Sequence, residues 1–146
     1  MLTASAPAHA APEAASGRVK KVLPHLLDKK GCHHVSPSLF DRDAYQAQLR
    51  QNPDRVSGIR YDMHWKARRA EGLKLTVRLE LRGLYEGKFP RETTLEKTYD
   101  GRASIREWTG LELTGNAYVE FGTITAWRAT LWAGEELLDE YTSFLW

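Results

Sequence analysis

Two stretches of the chain alternate apolar and polar residues with a period of two. In "IRYDMHWK" the apolar positions are Ile59, Tyr61, Met63 and Trp65. In "LKLTVRLELRG" every second residue from Leu73 to Leu81 is Leu or Val. This period is typical of β-strands with one buried and one solvated face, and it conflicts with helix formation. Because only "ARRAEG" links the two runs, we expect them to pair as an antiparallel hairpin.

The remaining sequence predicts further strands separated by turns. "RVKKVLPHLLD" (18–28) is expected to form an edge or bent strand, since Pro24 has no N–H to donate. A weaker strand is predicted within 91–101 and a short one around 111–113. Residues 123–146 predict a hairpin around Gly134, with a bulge because its two apolar registers do not align. The expected core aromatics are Trp65, Trp108, Tyr118, Phe121 and Trp127.

One helix is predicted, in "SLFDRDAYQAQLRQNP" (38–53). Ser38 or Asp41 can cap its start, and Pro53 prevents its continuation. At about three turns it is too short to organise a core alone, so we expect it to cover one edge or end of a sheet.

The strand pattern resembles an immunoglobulin-like or fibronectin-like β-sandwich in architecture, with about seven or eight antiparallel strands and one short helix. The Cys-Trp-Cys spacing of true immunoglobulin domains is absent, since the chain has one Cys. A partly open β-barrel is the alternative fold. The 146 residues suit one domain, and no run is long and apolar enough for a membrane span.

Residues 1–17 are rich in Ala, Pro and Ser and predict a disordered tail or the remnant of a signal peptide. Ala8-His9-Ala10 has the small-x-small pattern of a signal peptidase site. We therefore expect a periplasmic or secreted protein, with a cytoplasmic one as the alternative. Residues 18–146 are expected to form a single β-sandwich domain.

The charge of the chain is uneven although its net value is only +2. Residues 18–110 carry 20 Lys or Arg and 12 Asp or Glu, whereas residues 111–146 carry 1 and 6. Arg60, Lys66, Lys74, Arg78 and Arg82 alternate with the apolar positions of the two strands described first. Since the aromatic residues there fall in the opposite phase, we expect a solvated face with cross-strand ion pairs and no nucleic-acid platform.

Cys32, His33 and His34 form the stretch with the most chemical potential. Adjacent side chains on an extended backbone point to opposite sides, so His33 and His34 are weak candidates for one metal ion. A zinc site built from Cys32, one of the pair and His25 or His64 is conceivable. A Cys32–His pair could also act as a nucleophile and its base, but no helix N-terminus or catalytic motif supports it. The interpretation that we favour is a plain loop, with no metal and no other cofactor.

Exposed aromatic residues suggest a second kind of site. Trp132, which is out of phase with Trp127, Tyr85 in the loop "GLYEGKFP" and Trp146 at the end of the sequence are candidates for stacking on sugar rings. The sequence thus predicts a non-enzymatic interaction domain that binds a protein partner or self-associates through an edge strand. A carbohydrate-binding module is the alternative, and a Cys32/His-dependent hydrolase or metal enzyme is the second alternative.

Overall fold

The structure, a computed structural model, describes residues 14–146, and seven antiparallel strands form most of them. The strands are β1 (Ser16–Asp28), β2 (Val56–Arg68), β3 (Lys74–Tyr85), β4 (Phe89–Asp100), β5 (Ser104–Thr114), β6 (Thr123–Ala133) and β7 (Glu136–Thr142). Two helices, α1 (Leu39–Gln51) and α2 (Gly115–Phe121), and a short 3-10 turn (Pro53–Arg55) complete the described part.

The strands form two sheets, which pack their apolar faces together. Sheet A has the order β1-β2-β5 and sheet B has the order β4-β3-β6-β7. The predicted all-β sandwich is therefore confirmed. Residues 1–13 of the predicted tail lie outside the described residues. Strand β1 begins at Ser16, so it includes the last two residues of the segment 1–17 that was predicted to be a tail.

The sandwich core consists of the alternating apolar residues that the sequence indicated. Met63 and Trp65 of β2 and Leu75, Val77 and Leu79 of β3 are fully buried. Each such side chain contributes about 1.5–3 kcal/mol relative to an exposed position. The alternation of β2 and β3 therefore does supply the centre of the core.

The predicted hairpin of β2 and β3 is wrong. β2 pairs with β1 and β5, whereas β3 pairs with β4 and β6, so the two strands lie in different sheets. The connection crosses from one sheet to the other through Arg69 and Gly72, which both have positive φ. An alternating strand buries the same face whether its neighbour lies beside it or opposite it, so the period did not distinguish the two arrangements.

The edge strands of the two sheets lie side by side. β1 lies next to β7, and the backbone N–H of Val19 donates a 2.7 Å hydrogen bond to the Asp139 carboxylate. β4 is in contact with β5 on the opposite side. Pro24 lies in edge strand β1, as predicted.

Helix α1 closes one end of the sandwich, as the sequence predicted. Ser38 caps it through a hydrogen bond from the Asp41 N–H to its hydroxyl. Tyr45 and Leu49 pack against Val56. The buried Gln46 amide holds the edge of β1, since it accepts from the Leu26 N–H and donates to the Leu26 carbonyl.

The C-terminal hairpin is confirmed, including a register shift between Leu131 and Trp132. Helix α2 was not predicted. The expectation that Trp108 anchors the core is wrong, because its side chain lies on the outer face of β5 and is 51% exposed. Phe121, by contrast, is buried as expected.

Candidate functional site on the outer face of sheet A

Strand register arranges the outward side chains of sheet A in rows. Moving from one end to the other, the rows are Arg18–Lys66–Arg106, Lys21–His64–Trp108, Leu23–Asp62–Gly110 and His25–Arg60–Glu112. Successive rows are about 7 Å apart, the repeat of two residues along a strand. The first two rows are cationic and aromatic, whereas the last two hold the acidic residues.

The cationic end forms what we call the basic strip. Its members are Arg18, Lys20, Lys21, Lys66, Arg68 and Arg106. A register shift between Val19 and Lys21 inserts Lys20 as an extra residue. Within residues 14–146 no ion pair shorter than 4.0 Å involves a member of the strip. The pKa of Lys66 is lowered by the charge of Lys20, with smaller contributions from burial and from three arginines, so the cations at this end repel one another.

Trp108 lies at the border of the basic strip. Its ring stacks on His64 with a centroid separation of 4.7 Å and an interplanar angle of 14°. Burial and the cations Arg106, Lys20 and Lys21 lower the pKa of His64, which favours the neutral ring beneath the indole. Half of the Trp108 surface is exposed, so the indole can still accept a second flat partner.

A groove of about 560 Å³ continues from Trp108 toward the end of the sandwich. Helix α1 and His33 form one wall, and strands β1, β2 and β5 form the floor. We call it the α1 groove. Its lining includes Lys21, His25, His33, Arg42, Arg60 and Trp108.

A hydrogen-bonded network built on Arg60 lies in this groove. The His25 Nδ1–H donates to Asp62 at 2.8 Å, and Arg60 Nε lies 3.1 and 3.2 Å from the two oxygens of that carboxylate. Arg60 Nη2 donates to His33 Nδ1 at 2.8 Å. Gly110 leaves room for the network, because a Cβ there would lie 3.1 Å from Arg60 Cδ.

His33 is held neutral by this environment. Burial, the neighbouring Arg60 charge and His25 lower its pKa to about 4. Arginine has no acceptor, so His33 Nδ1 must carry the lone pair and Nε2 the proton. The His25 and His33 rings stack at 4.6 Å.

His25, His33 and Asp62 place ligand atoms within 4.8 Å of one another, so they are the described residues that could hold a metal ion. His33 is a residue that the sequence singled out, whereas Cys32 and His34 are not part of this set. Arg60 already occupies the His33 lone pair and the Asp62 carboxylate. A cation is therefore present where a metal ion would have to bind.

Cys32 and His34 face a different groove, on the other side of the loop, together with Tyr45 and Arg55. The Cys32 thiol is exposed, and its described contact is with the Lys30 carbonyl at 4.0 Å. The His34 ring meets the His33 ring edge-on at 4.5 Å. The structure thus brings His33 to His25 and Asp62, whereas Cys32 shares the other groove with His34 and forms no hydrogen bond to a histidine ring among residues 14–146.

The predicted sugar-stacking residues each carry a cation over the ring. Arg78 lies 5.2 Å from the centroid of Trp132, Arg82 lies 3.6 Å from that of Trp146, and Arg91 lies 5.2 Å from that of Tyr85. Trp132 is on the outer face of sheet B, opposite Thr76, whereas Tyr85 lines a groove with Phe121 and Leu113. Tyr85 therefore lies apart from Trp132, whereas Trp132 and Trp146 each lie over an outward arginine of β3.

The outer face of sheet B has the ion pairs that were expected for both strands. Arg78 pairs with Glu96, and Arg128 bridges Glu80 and Glu140. Arg60 and Lys66, which were assigned to the same face, lie on sheet A instead. The sequence pattern did not indicate that Trp108, Arg106 and the cations of β1 lie next to Arg60 and Lys66. The cluster "RVKK" on an edge strand was the available signal for a basic surface there.

Comparisons with known proteins support the fold and carry no function. No family model matches the chain, and no curated protein sequence matches it. A crystal structure of a protein from Akkermansia muciniphila is similar, with a TM-score of 0.53 and 9% identity over 89% of this chain and 71% of that one. No helix among residues 14–146 combines the length and apolar character needed to cross a bilayer.

Proposed function

We propose that this protein is a non-enzymatic binding domain for an acidic polysaccharide, which lies along the outer face of sheet A. The observation that carries the proposal is the basic strip, which has six cations and no acidic partner within residues 14–146. A lone surface cation needs no explanation, but a cluster of cations that lowers the pKa of Lys66 costs stability through repulsion between like charges. A polyanion would remove that cost.

Trp108 supports a carbohydrate as the ligand. One face of the indole is covered by His64, and the exposed remainder offers a flat apolar surface next to charged groups. Sugar rings stack on such a surface through their C–H faces. Nucleic-acid platforms stack successive bases on several aromatic residues of one face, and this face has a single exposed tryptophan.

We also infer that the domain has no catalytic role. The His25–Asp62 pair has the geometry of a base and its orienting carboxylate, but the Cys32 thiol opens into the other groove. Export, inferred from Ala8-His9-Ala10, would place such a domain where acidic polysaccharides occur. The strand order supports a fibronectin-type sandwich, since β4 pairs with β3 whereas constant-type immunoglobulin domains put the fourth strand beside the fifth.

The test is titration calorimetry with a sulfated and a uronate polysaccharide at two salt concentrations. We expect the affinity to fall with rising salt, and the double variant Lys66→Gln/Arg106→Gln to bind at least about tenfold more weakly, because counterion release scales with the neutralised charges. Trp108→Ala should weaken binding without changing the salt dependence. Lys74→Gln/Lys88→Gln, which removes the same charge from exposed positions outside sheet A, is the matched control.

Three outcomes would contradict the proposal. An equal loss of affinity in Lys66→Gln/Arg106→Gln and in the control Lys74→Gln/Lys88→Gln would show that net charge alone attracts the polymer. Tighter binding of single-stranded nucleic acid than of either polysaccharide would make the strip a nucleic-acid site. No binding of any polyanion at low salt would remove the proposal altogether.

A protein partner is the second candidate. Val35, Leu39 and Phe40 are between 73% and 81% exposed along the loop and the first turn of α1, which favours contact with another apolar surface. Pairing through the β1 edge has less support, because Val19 already donates to Asp139. Sedimentation velocity of the native protein and of the Phe40→Ser variant tests self-association through this surface. If copies of the protein associate there, the native protein should sediment as a larger species that is absent from the variant.

A further inference from the structure

The geometry points to a specific role for the α1 groove: it is a subsite that binds the carboxylate of a uronic acid residue. This inference rests on the proposed function, because the groove adjoins the basic strip and would hold one sugar of the same chain. It narrows the ligand to polysaccharides that contain uronic acids, and it names Arg42 as the residue that recognises the uronate carboxylate.

Arg42 presents a donor that the described protein leaves unused. Its Nε is buried and has no hydrogen-bond partner among residues 14–146, and it is the sole buried side-chain nitrogen or oxygen there with that property. Leaving such a donor without a partner costs about 1–3 kcal/mol, so buried orphans of this kind indicate a missing acceptor. Arg42 lines the α1 groove.

Two other donor residues of the groove, Arg60 and His25, are already engaged. Arg60 is bound to Asp62 and His33, and His25 is bound to Asp62. The groove still has the guanidinium of Arg42 and the ammonium of Lys21, for which no hydrogen bond or ion pair is formed within the described residues. Both remain able to bind an incoming acceptor.

The charge of the groove fits a single negative group. Its lining holds three cations, Lys21, Arg42 and Arg60, against the carboxylates of Asp43 and Asp62. The balance of +1 is neutralised by one carboxylate. A guanidinium binds a planar carboxylate through two parallel N–H bonds that can include Nε.

The position of the groove makes the ligand continuous with the strip. Lys21 and Trp108 belong to the groove lining and also to the second row of the outer face. A polysaccharide with one sugar stacked on Trp108 can therefore extend into the α1 groove, whose lining includes Arg42. The inference thus requires no second ligand.

The experiment uses a uronate hexasaccharide and dextran sulfate as probes, with two variants of the same helix. Arg42→Gln removes the orphan donor, and Arg50→Gln removes an exposed arginine from the last turn of α1 as the control. We expect the hexauronate to bind at least about tenfold more weakly to Arg42→Gln, the cost of a lost bidentate charged pair. Dextran sulfate that binds through the basic strip should bind Arg42→Gln and Arg50→Gln equally, and weaker binding to Arg42→Gln alone would overturn the assignment of the groove to a carboxylate.

The side-chain N–H resonance of Arg42 Nε supplies a direct readout, since it should shift on addition of the hexauronate and not of dextran sulfate. The inference alone fails if both polymers bind through the strip but Arg42→Gln leaves hexauronate affinity unchanged. The proposed function alone fails if the Arg42 signal shifts with the hexauronate while strip variants bind it normally. No binding and no shift would overturn both.

Discussion

At the scale of single residues, the neutral state of His33 is set by its surroundings. Arg60 donates to its Nδ1, and a second proton would place two cations in contact. The folded protein therefore takes up this proton only near pH 4, whereas an unfolded chain takes it up near 6.5. Between these values the unfolded state binds more protons, so His33 makes the folded state less stable as the pH falls from 6.5 toward 4.

His33→Asn should reduce this acid sensitivity, because the amide oxygen can accept from Arg60 and cannot be protonated in that range. We expect the free energy of unfolding of the native protein to fall between pH 7 and 4.5 by about 1–2 kcal/mol more than that of the variant, after allowance for partial solvent screening. Urea denaturation at the two pH values measures this difference. His34→Gln is the control, since it leaves the contact between His33 and Arg60 in place, and an equal reduction in that variant would show that the effect is not specific to His33.

Individual residues also show where sequence reasoning failed. β5 places the polar Thr109 on its inner face and Trp108 on its outer face, which reverses the usual assignment of polar and apolar residues. Thr109 is tolerated inside because it accepts from the buried Trp65 indole at 2.8 Å and bonds the Tyr99 hydroxyl at 2.6 Å. No local pattern in the sequence contains that partnership, so the exposed Trp108 could not be inferred from it.

At the scale of elements, the two links that cross between the sheets after β2 and after β4 are hydrogen-bonded to each other. The link after β2 bonds to the link after β4, since the Arg69 N–H donates to the Ala103 carbonyl and the Ala70 N–H to the Arg102 carbonyl. Gly101 allows the contact, because a Cβ there would lie 1.9 Å from the Ala70 oxygen. The strands and α1 could be predicted from period, capping and proline, but this pairing joins residues about 30 positions apart and has no local signal.

Gly101→Ala should therefore destabilise the fold by about 2 kcal/mol or more, since backbone atoms of the other link must shift. Thermal unfolding followed by far-ultraviolet circular dichroism measures the change. Gly110→Ala is a suitable control, because its added methyl would meet the flexible Arg60 side chain at 3.1 Å and cost less. Equal losses in the two variants would show that the paired crossings do not limit stability.

At the scale of the whole molecule, one hydrogen-bond network spans the two sheets. Trp65 and Thr109 belong to sheet A, and Tyr99 belongs to β4 of sheet B. The Trp65 and Tyr99 rings also meet at a centroid distance of 5.1 Å. The network fixes how the two sheets face each other at this position, in addition to the apolar contacts of the core.

Thr109→Val keeps the shape of the side chain and removes the shared hydroxyl. We expect a loss of about 1–3 kcal/mol in the free energy of unfolding, since the buried indole N–H then has no acceptor. Denaturant titration monitored by tryptophan fluorescence gives the value. Thr94→Val, at an exposed position of β4, should change stability little, and a similar loss there would attribute the effect to valine itself.

The extra lysine in β1 has a consequence for the behaviour of the protein at high concentration. Positive charges along an edge strand keep copies of a protein from joining edge to edge, and Lys20 and Lys21 lie side by side on such a strand. A polyanion bound there would neutralise the same lysines. Solutions mixed near charge equivalence should therefore become turbid, and excess of either component should clear them.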